Sequence, residues 1–291
     1  MRRWYHGIAT LVALALLVPA SRPAQSQSPP AGFEVIEFSV GGGRAATLKA
    51  YLRRPAGTAR APAIVALHGC GGLFGSAGRF SARELDWAEA WVGDGYAVLF
   101  PDSFNPRGYR EICRLTEGNR PIRPRHRADD ATAAQAWLAQ QPFVEKARIA
   151  VVGWSHGGSS TLWAADKGAA SVAAAFKTAI AFYPGCRSAI ENAGYAPGLP
   201  LTILIGSADD WTPAAPCREL AARHSIRLIE YVGAVHGFDA PNSPRRTRND
   251  VGVSGSGGGQ VQVGTDPAAR AAAMTEVRRI LADAFGPSGK P

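Results

Sequence analysis

The 291-residue sequence has no CxxC pair, no repeat of solenoid length and no apolar run long enough to cross a bilayer. A membrane-spanning helix needs about 20 apolar residues, whereas the run at Ile8–Val18 has only 11. A zinc site is not expected without closely spaced cysteine pairs, and a solenoid needs repeated units. The 46% hydrophobic and 9% aromatic content still provides enough apolar material for a full core.

Acidic residues are scarce, because 23 Asp and Glu stand against 32 Lys and Arg, and the formal net charge is +9. Lysine is scarcer still, since 27 of the basic residues are Arg. Such a balance suggests nucleic acid or an anionic surface as a partner. Seven of the arginines, however, lie between positions 107 and 127, without an aromatic or helical recognition pattern. We therefore expect no nucleic-acid partner.

Residues 1–26 follow the order of a secretory signal peptide: two arginines, an apolar run and a small-residue segment that ends at Ser26. The alternative is a membrane anchor, for which the run is too short. We expect this segment to be cleaved between Ala20 and Ser26. The mature chain, taken as residues 27–291, is then expected to be one domain, exported to the periplasm or beyond, without stable membrane insertion.

Short apolar runs alternate with helical patterns, which predicts an α/β fold with a mainly parallel eight-stranded sheet and helices on both faces. Runs such as AIVAL and IAVVGW are continuously apolar, as is typical of strands covered on both faces. The first two strands flank Gly41-Gly42-Gly43 and are predicted to form an antiparallel hairpin. The predicted strands are Phe33–Val40, Ala46–Arg53, Ala63–His68, Ala97–Phe100, Ile149–Val152, Thr178–Phe182, Leu201–Ile205 and Arg227–Tyr231.

The predicted helices are Ala82–Gly93, Ala128–Gln140, Ser155–Lys167, Ala214–His224 and Pro267–Phe285. Asp266 is the expected N-cap of the last helix, and Pro267 its first residue. Residues 104–127 and 241–265 fit neither pattern and are predicted to be surface loops.

Four cysteines allow three pairings, and disulfides persist outside the cytoplasm. Cys186 and Cys217 follow predicted strand ends on one side of the sheet, and Cys70 and Cys113 follow two earlier strands. We predict the bridges Cys70–Cys113 and Cys186–Cys217.

The sharpest local signal is Gly153-Trp154-Ser155-His156-Gly157, a G-x-S-x-G pattern between a predicted strand and a predicted helix. A nucleophile raised clear of a sheet needs a strained turn, in which a Cβ at Gly153 or Gly157 would collide with backbone. The hydroxyl would lie at a helix N-terminus, where N–H groups favour a developing oxyanion. In this context we interpret Ser155 as a nucleophile.

A serine nucleophile needs a histidine base and an acid, expected later in the chain in the order Ser, Asp, His. Asp209 and Asp210 follow the strand that ends at Ile205, and His236 follows the strand that ends at Tyr231. In open α/β sheets ligands bind at this end of the strands. The pattern predicts His236 as the base and leaves both aspartates as candidate acids.

The other histidines fit this role less well. His68 ends a strand and is expected to order the following loop. His126 and His224 lie in the arginine-rich loop and at a helix end. His156 follows the nucleophile, and its side chain is expected to point away from the base position.

An oxyanion hole in this arrangement takes one N–H from the residue after the nucleophile, here His156, and one from an early strand-end loop. Cys70 is the first candidate for the early donor and Gly71 the second. A bridge from Cys70 to Cys113 would hold that donor rigid.

Aromatic residues on strand-end loops are candidates for an apolar pocket wall, with core packing as the alternative for each; they are Phe104, Tyr183, Trp211 and Phe238. Arg107 is a candidate contact for a substrate carboxylate, and a structural ion pair is its alternative role.

Taken together, HGCGG at 68–72, FPDSFNPRG at 100–108, GWSHGG at 153–158, the spacing from Gly206 to Asp209 and VHGFD at 235–239 resemble the dienelactone hydrolase family of α/β-hydrolases. The resemblance extends from Phe33 to Phe285 and is strongest to exported bacterial members. It implies the α/β-hydrolase fold, Asp209 as the acid, Cys70 as the early oxyanion donor, and hydrolysis of an ester or lactone without cofactor or metal. The named members use a cysteine nucleophile where this chain has Ser155, so dienelactone itself is not expected as the substrate.

We therefore interpret the chain as a serine hydrolase that cleaves small-molecule carboxylic esters or lactones through an acyl-enzyme. An amidase or peptidase would use the same triad. A non-catalytic binding protein on a retained hydrolase scaffold is the alternative from another class, against which the intact Ser155, Asp209 and His236 argue.

Overall fold

The computed structural model describes residue 1 and residues 29–42, 44–57, 60–75, 78–169, 176–255, 257 and 259–286. All but the first residue of the expected signal peptide lies outside the described residues. No helix in the described ranges is both long enough and apolar enough to cross a membrane.

The strands are β1 Glu34–Val40, β2 Ala46–Arg53, β3 Ala61–Leu67, β4 Ala97–Pro101, β5 Val144–Trp154, β6 Ala179–Phe182, β7 Leu201–Gly206, β8 Arg227–Tyr231, β9 Arg246–Arg248 and β10 Val261–Val263. The helices are α1 Ala82–Gly93, α2 Pro124–Ala139, α3 His156–Ala164, α4 Arg187–Ile190, α5 Ala214–His224 and α6 Pro267–Phe285, with short 3₁₀ turns at Asn105–Arg107 and Glu117–Asn119.

Eight strands form one sheet in the order β1-β2-β4-β3-β5-β6-β7-β8. β1 and β2 form the predicted antiparallel hairpin, in which Val40 pairs with Ala46. β2 runs antiparallel to β4, and every later pairing in this sheet is parallel. Every residue of the central strand β3 is buried, because helices and loops cover both of its faces. The predicted mainly parallel sheet is confirmed.

The last helix begins as its sequence predicts. Asp266 accepts a hydrogen bond from the backbone N–H of Ala269 at 2.9 Å, and Pro267 occupies the first helical position. Proline is favoured there because the N–H it lacks would have no partner in the helix. The buried face of α6, which includes Val277 and Leu281, then packs on the sheet core.

Helix α2 begins at Pro124, four residues before the predicted start at Ala128. The reason is local, since Pro124 is again preorganised for a first turn. His126 Nδ1 also accepts the N–H of Arg123 at 3.2 Å. The four residues are mostly polar, so the apolar pattern used for the prediction did not include them. Helix α3 ends at Ala164, three residues before the predicted Lys167.

The two segments predicted to be surface loops are partly buried, which corrects that expectation. A second apolar cluster draws on both of them, with Ile112 and Ile122 from the first and Val251, Val261 and Val263 from the second. Part of the second segment pairs as the antiparallel strands β9 and β10. Three-residue strands between polar neighbours have no readable alternation, so the pattern did not indicate them.

Both predicted disulfides, Cys70–Cys113 and Cys186–Cys217, are present. The first ties the loop after β3 to residues 104–123, and the Cys70 carbonyl also accepts the Ile112 N–H at 2.9 Å. The second ties the segment after β6 to helix α5. Both bridges therefore fasten chain segments at the carboxyl ends of the parallel strands.

Candidate active site

Ser155 occupies a strained turn between β5 and α3. Its φ is 54°, in the left-handed region that side chains other than glycine rarely adopt. The backbone N–H of Ser155 donates to Phe182 O at 2.9 Å, which fixes the turn to the neighbouring strand. A Cβ at Gly153 would collide with the carbonyl group of Gly157, and one at Gly157 would collide with Leu67 O. The glycines are thus required by the close approach of three backbone segments.

Asp209 and His236 form a buried pair at the ends of β7 and β8. Asp209 Oδ2 lies 2.8 Å from His236 Nδ1, and each residue is 4% exposed. Asp209 Oδ1 accepts the N–H groups of Trp211 at 2.9 Å and Thr212 at 2.8 Å, which fixes the carboxylate. A carboxylate on Nδ1 holds the proton there and leaves Nε2 as the basic nitrogen.

Thr212 contacts both members of this pair. Its hydroxyl lies 3.0 Å from Asp209 Oδ2 and 3.1 Å from His236 Nδ1, and it donates to Tyr183 O at 2.9 Å. Thr212 also lines the same cavity as Ser155. The contacts of its hydroxyl with Asp209 and His236 were not anticipated from the sequence.

Asp210, the other candidate acid, has a different role. Its Oδ1 accepts the N–H of Gln262 at 2.8 Å, and its carbonyl oxygen accepts the N–H of Gly255 at 3.0 Å. Asp210 therefore fastens the segment that contains β10, while Asp209 contacts the imidazole.

The loop after β3 lies against Ser155. A Cβ built on Gly69 would be 3.7 Å from Ser155 Cβ, and both Cys70 and His156 line the cavity beside Ser155. Within the part of the chain that the structure describes, neither the Cys70 N–H nor the His156 N–H donates to a protein acceptor. Two such amides beside a serine can bind a developing oxyanion.

A buried arginine that sequence reasoning missed connects the two amide-bearing segments. Arg127 donates from Nη1 to His156 Nδ1 at 3.0 Å and from Nε to Ser103 Oγ at 3.0 Å. Ser103 N donates to His68 Nε2 at 3.3 Å, and His68 Nδ1 donates to Gly69 O at 2.8 Å. Arg127 stands in a segment that looked like a polar loop, so no periodicity marked it as buried.

The charges in this network follow from burial. Burial, and then the Arg127 cation, hold the pKa of His68 and of His156 well below the usual value, so both imidazoles are neutral at neutral pH. Burial lowers the pKa of Arg127 to about 10, which still leaves it charged.

Asp239 anchors the loop that carries His236. It is fully buried and accepts from Trp87 Nε1 and Trp154 Nε1 at 2.8 Å each and from Tyr183 Oη at 2.6 Å. Three donors satisfy this buried carboxylate, so the chain is fixed three residues beyond the imidazole.

A cavity of about 620 Å³ lies beside Ser155. Trp211 lines it, as expected, and Trp163 forms another apolar part of the wall. Phe104 and Arg107, the other two candidate substrate contacts, take the alternative roles of core packing and a structural ion pair. Phe104 is completely buried, with its ring 4.6 Å from that of His68. Arg107 Nη2 lies 2.7 Å from Asp130 Oδ1, and only 6% of the Arg107 side chain is exposed. Neither Phe104 nor Arg107 lines the cavity.

The bridge from Cys70 to Cys113 predicts a measurable effect on turnover. Cys113→Ser should lower the free energy of unfolding by about 2–5 kcal/mol and, by loosening the Cys70 amide, lower kcat by up to about 10²-fold. Cys217→Ser removes the other bridge and serves as the matched control, with a similar loss of stability but little loss of kcat. Equal turnover in the two variants, measured well below their melting temperatures, would contradict a positioning role for the first bridge.

The eight-stranded sheet, with the Ser155 turn after β5 and the Asp209–His236 pair after β7 and β8, is that of an α/β hydrolase. The family model described as the dienelactone hydrolase family matches residues 48–284. The chain therefore belongs to that family, and this makes it an enzyme of the carboxylic ester hydrolase class.

Two solved structures illustrate the shared fold. Thermogutta terrifontis esterase 2, phosphoramylated by tabun, is 20% identical with a TM-score of 0.59, and the match covers 90% of this chain and 98% of the esterase. A dienelactone hydrolase-like promiscuous phosphotriesterase from metagenomic libraries is 20% identical with a TM-score of 0.61, covering 88% of this chain and all of the other. Among curated proteins, none matches the chain.

Proposed function

We propose that this protein is a serine hydrolase that cleaves carboxylic esters or lactones through an acyl-enzyme, with Ser155 as nucleophile, His236 as base and Asp209 as the orienting acid. The observation that carries the proposal is the buried Asp209–His236 pair, 2.8 Å between Oδ2 and Nδ1, on the same strand ends as the strained Ser155 turn. A serine in such a turn has no evident structural advantage over glycine.

In the mechanism, His236 Nε2 takes the proton from Ser155 Oγ as the oxygen attacks the ester carbonyl carbon. The tetrahedral oxyanion accepts hydrogen bonds from the N–H groups of Cys70 and His156. The imidazolium, stabilised by Asp209, then protonates the leaving alkoxide as the C–O bond breaks. A water molecule then attacks the carbonyl carbon of the acyl-enzyme, with His236 again acting as the base. This second step releases the acid and restores the Ser155 hydroxyl.

We also propose that the protein acts outside the cytoplasm. The order of charge and hydrophobicity in residues 1–26 supports this, and the two disulfides are compatible with it. N-terminal sequencing of the protein from its native host should begin after Ala20, and an intact Met1 in the cytoplasmic fraction would overturn the proposal.

The direct test is reaction of the purified protein with an ester and with a fluorophosphonate probe. We expect turnover of 4-nitrophenyl butyrate and labelling at Ser155, identified by tandem mass spectrometry of the digested protein. The phosphorylated and phosphoramylated forms of Thermogutta terrifontis esterase 2 support the choice of an organophosphorus probe. Butyryl 4-nitroanilide is the matched amide, and faster cleavage of the anilide would make the protein an amidase. If the protein shows no turnover and no labelling, the enzymatic proposal fails and the protein would be a binding protein.

A further inference from the structure

Four arginines, Arg120, Arg123, Arg125 and Arg187, line the cavity that contains Ser155. Arg120 and Arg123 precede helix α2, Arg125 lies in its first turn, and Arg187 begins α4. Glu117, which is exposed, is the one carboxylate among the described lining residues. Its negative charge favours the charged form of Arg120. The cavity wall therefore carries a clear excess of positive charge.

These four arginines differ from most of the others in the chain. Thirteen arginines in the described ranges form salt bridges with Asp or Glu. Not one of those salt bridges, all within the described residues, involves an arginine of the cavity wall. Among the described residues, more than half of the arginines are thus paired with a carboxylate, while these four keep their charge available to a ligand.

The contacts of two of these arginines hold them at the cavity without neutralising them. Arg125 lies with its guanidinium carbon 3.8 Å from the centre of the Trp163 ring, another part of the wall. Stacking on a ring leaves the in-plane N–H donors of a guanidinium available. Arg120 is partly buried and donates from Nε to Leu115 O at 3.3 Å. Burial lowers its pKa, so a bound anion would relieve the cost of keeping this cation away from water.

Resting on the ester hydrolysis proposed above, the geometry points to esters that carry two or more negative charges as the preferred substrates. Carboxylate, sulfonate or phosphate groups share the required chemistry, because each accepts paired hydrogen bonds from a guanidinium. Four cations in the wall of the cavity that contains Ser155 exceed the need of a substrate with a single charge. A concave surface of one sign also raises the local concentration of an oppositely charged substrate.

Two pairs of esters test this preference for anionic substrates, and the two members of each pair have the same type of scissile ester bond. On the alcohol side, the butyrate of 8-hydroxypyrene-1,3,6-trisulfonate is compared with the neutral butyrate of 4-methylumbelliferone. On the acyl side, the mono-4-nitrophenyl ester of tricarballylic acid is compared with 4-nitrophenyl butyrate. At low ionic strength, we expect kcat/KM for the anionic member of at least one pair to exceed that of its neutral partner by about tenfold or more. The advantage should shrink as salt is added.

Variants then assign the selectivity to the cavity. Arg123→Gln with Arg187→Gln removes two exposed charges from the wall, and Arg278→Gln with Arg279→Gln removes two exposed, paired charges from helix α6. We expect the first pair of substitutions to lower the anionic-to-neutral ratio of kcat/KM by about tenfold or more, and the second pair to leave it within twofold of the parent.

The outcomes separate this inference from the proposed function. Turnover of the neutral esters that equals or exceeds turnover of both anionic esters at low salt would overturn the inference and leave the ester hydrolase standing. An equal loss of the ratio in both double variants would also overturn it, because net charge alone would then explain the preference. Failure to hydrolyse any of the four esters would instead overturn the proposed function.

Discussion

Replacing Ser155 by Ala is expected to lower kcat for 4-nitrophenyl butyrate by about 10⁶-fold, the scale of loss when a triad nucleophile is removed. In the proposed mechanism the Ser155 hydroxyl supplies the oxygen atom that becomes acylated. Because position 155 has a φ of 54°, alanine there keeps the same strained backbone as serine. The variant should therefore remain folded, with a circular dichroism spectrum and melting temperature close to those of the parent.

Ser160→Ala provides the matched control for this substitution. Ser160 is buried on the same helix, donates from Oγ to His156 O at 2.7 Å and does not line the cavity. We expect its kcat to stay within a few-fold of the parent, and the fluorophosphonate probe to label it. Retained turnover in Ser155→Ala would remove Ser155 as nucleophile, and an equal collapse in Ser160→Ala would attribute the loss to damage of helix α3.

The sequence predicted the features that depend on local physical constraints. The turn at Ser155 needed glycines where backbones meet, and Gly153 and Gly157 stand at those places. Continuous apolar runs identified the parallel strands, because both faces of such strands are covered. Once the strand ends were placed, the cysteine pairing and the positions of His236 and of the two candidate acids, Asp209 and Asp210, followed from which ends share one edge of the sheet, whereas the preference for Asp209 came from the family resemblance.

What the sequence did not predict depends on contacts between distant positions. Arg107 looked available to a substrate, yet its partner Asp130 stands 23 residues away on helix α2. Phe104 and Arg127 lie in a segment whose polarity indicated an exposed loop, and both are completely buried. A polar residue is buried when a partner satisfies it, and nothing in the local pattern reveals that partner.

Asp209→Asn is expected to lower kcat for ester hydrolysis by about 10⁴-fold, as loss of the correct imidazole tautomer does in a serine triad. The reason is specific to the contacts of this side chain. Asp209 Oδ1 accepts two backbone N–H groups, from Trp211 and Thr212, so an asparagine would keep its carbonyl oxygen there. Its NH₂ group would then face His236 Nδ1 and force that nitrogen to accept a hydrogen bond. The proton would move to Nε2, which could no longer take a proton from Ser155.

Asp210→Asn makes the comparison decisive, because the two positions are adjacent and the change in charge is the same. Asp210 Oδ1 accepts the Gln262 N–H, and an asparagine carbonyl can accept it equally well. We expect kcat of Asp210→Asn to remain within about tenfold of the parent, measured across the pH range in which the parent is active. A larger loss in Asp210→Asn than in Asp209→Asn would move the acid to position 210. Full activity in both variants would mean that His236 needs no carboxylate, and the triad would then have to be abandoned even if Ser155 proved to be the nucleophile.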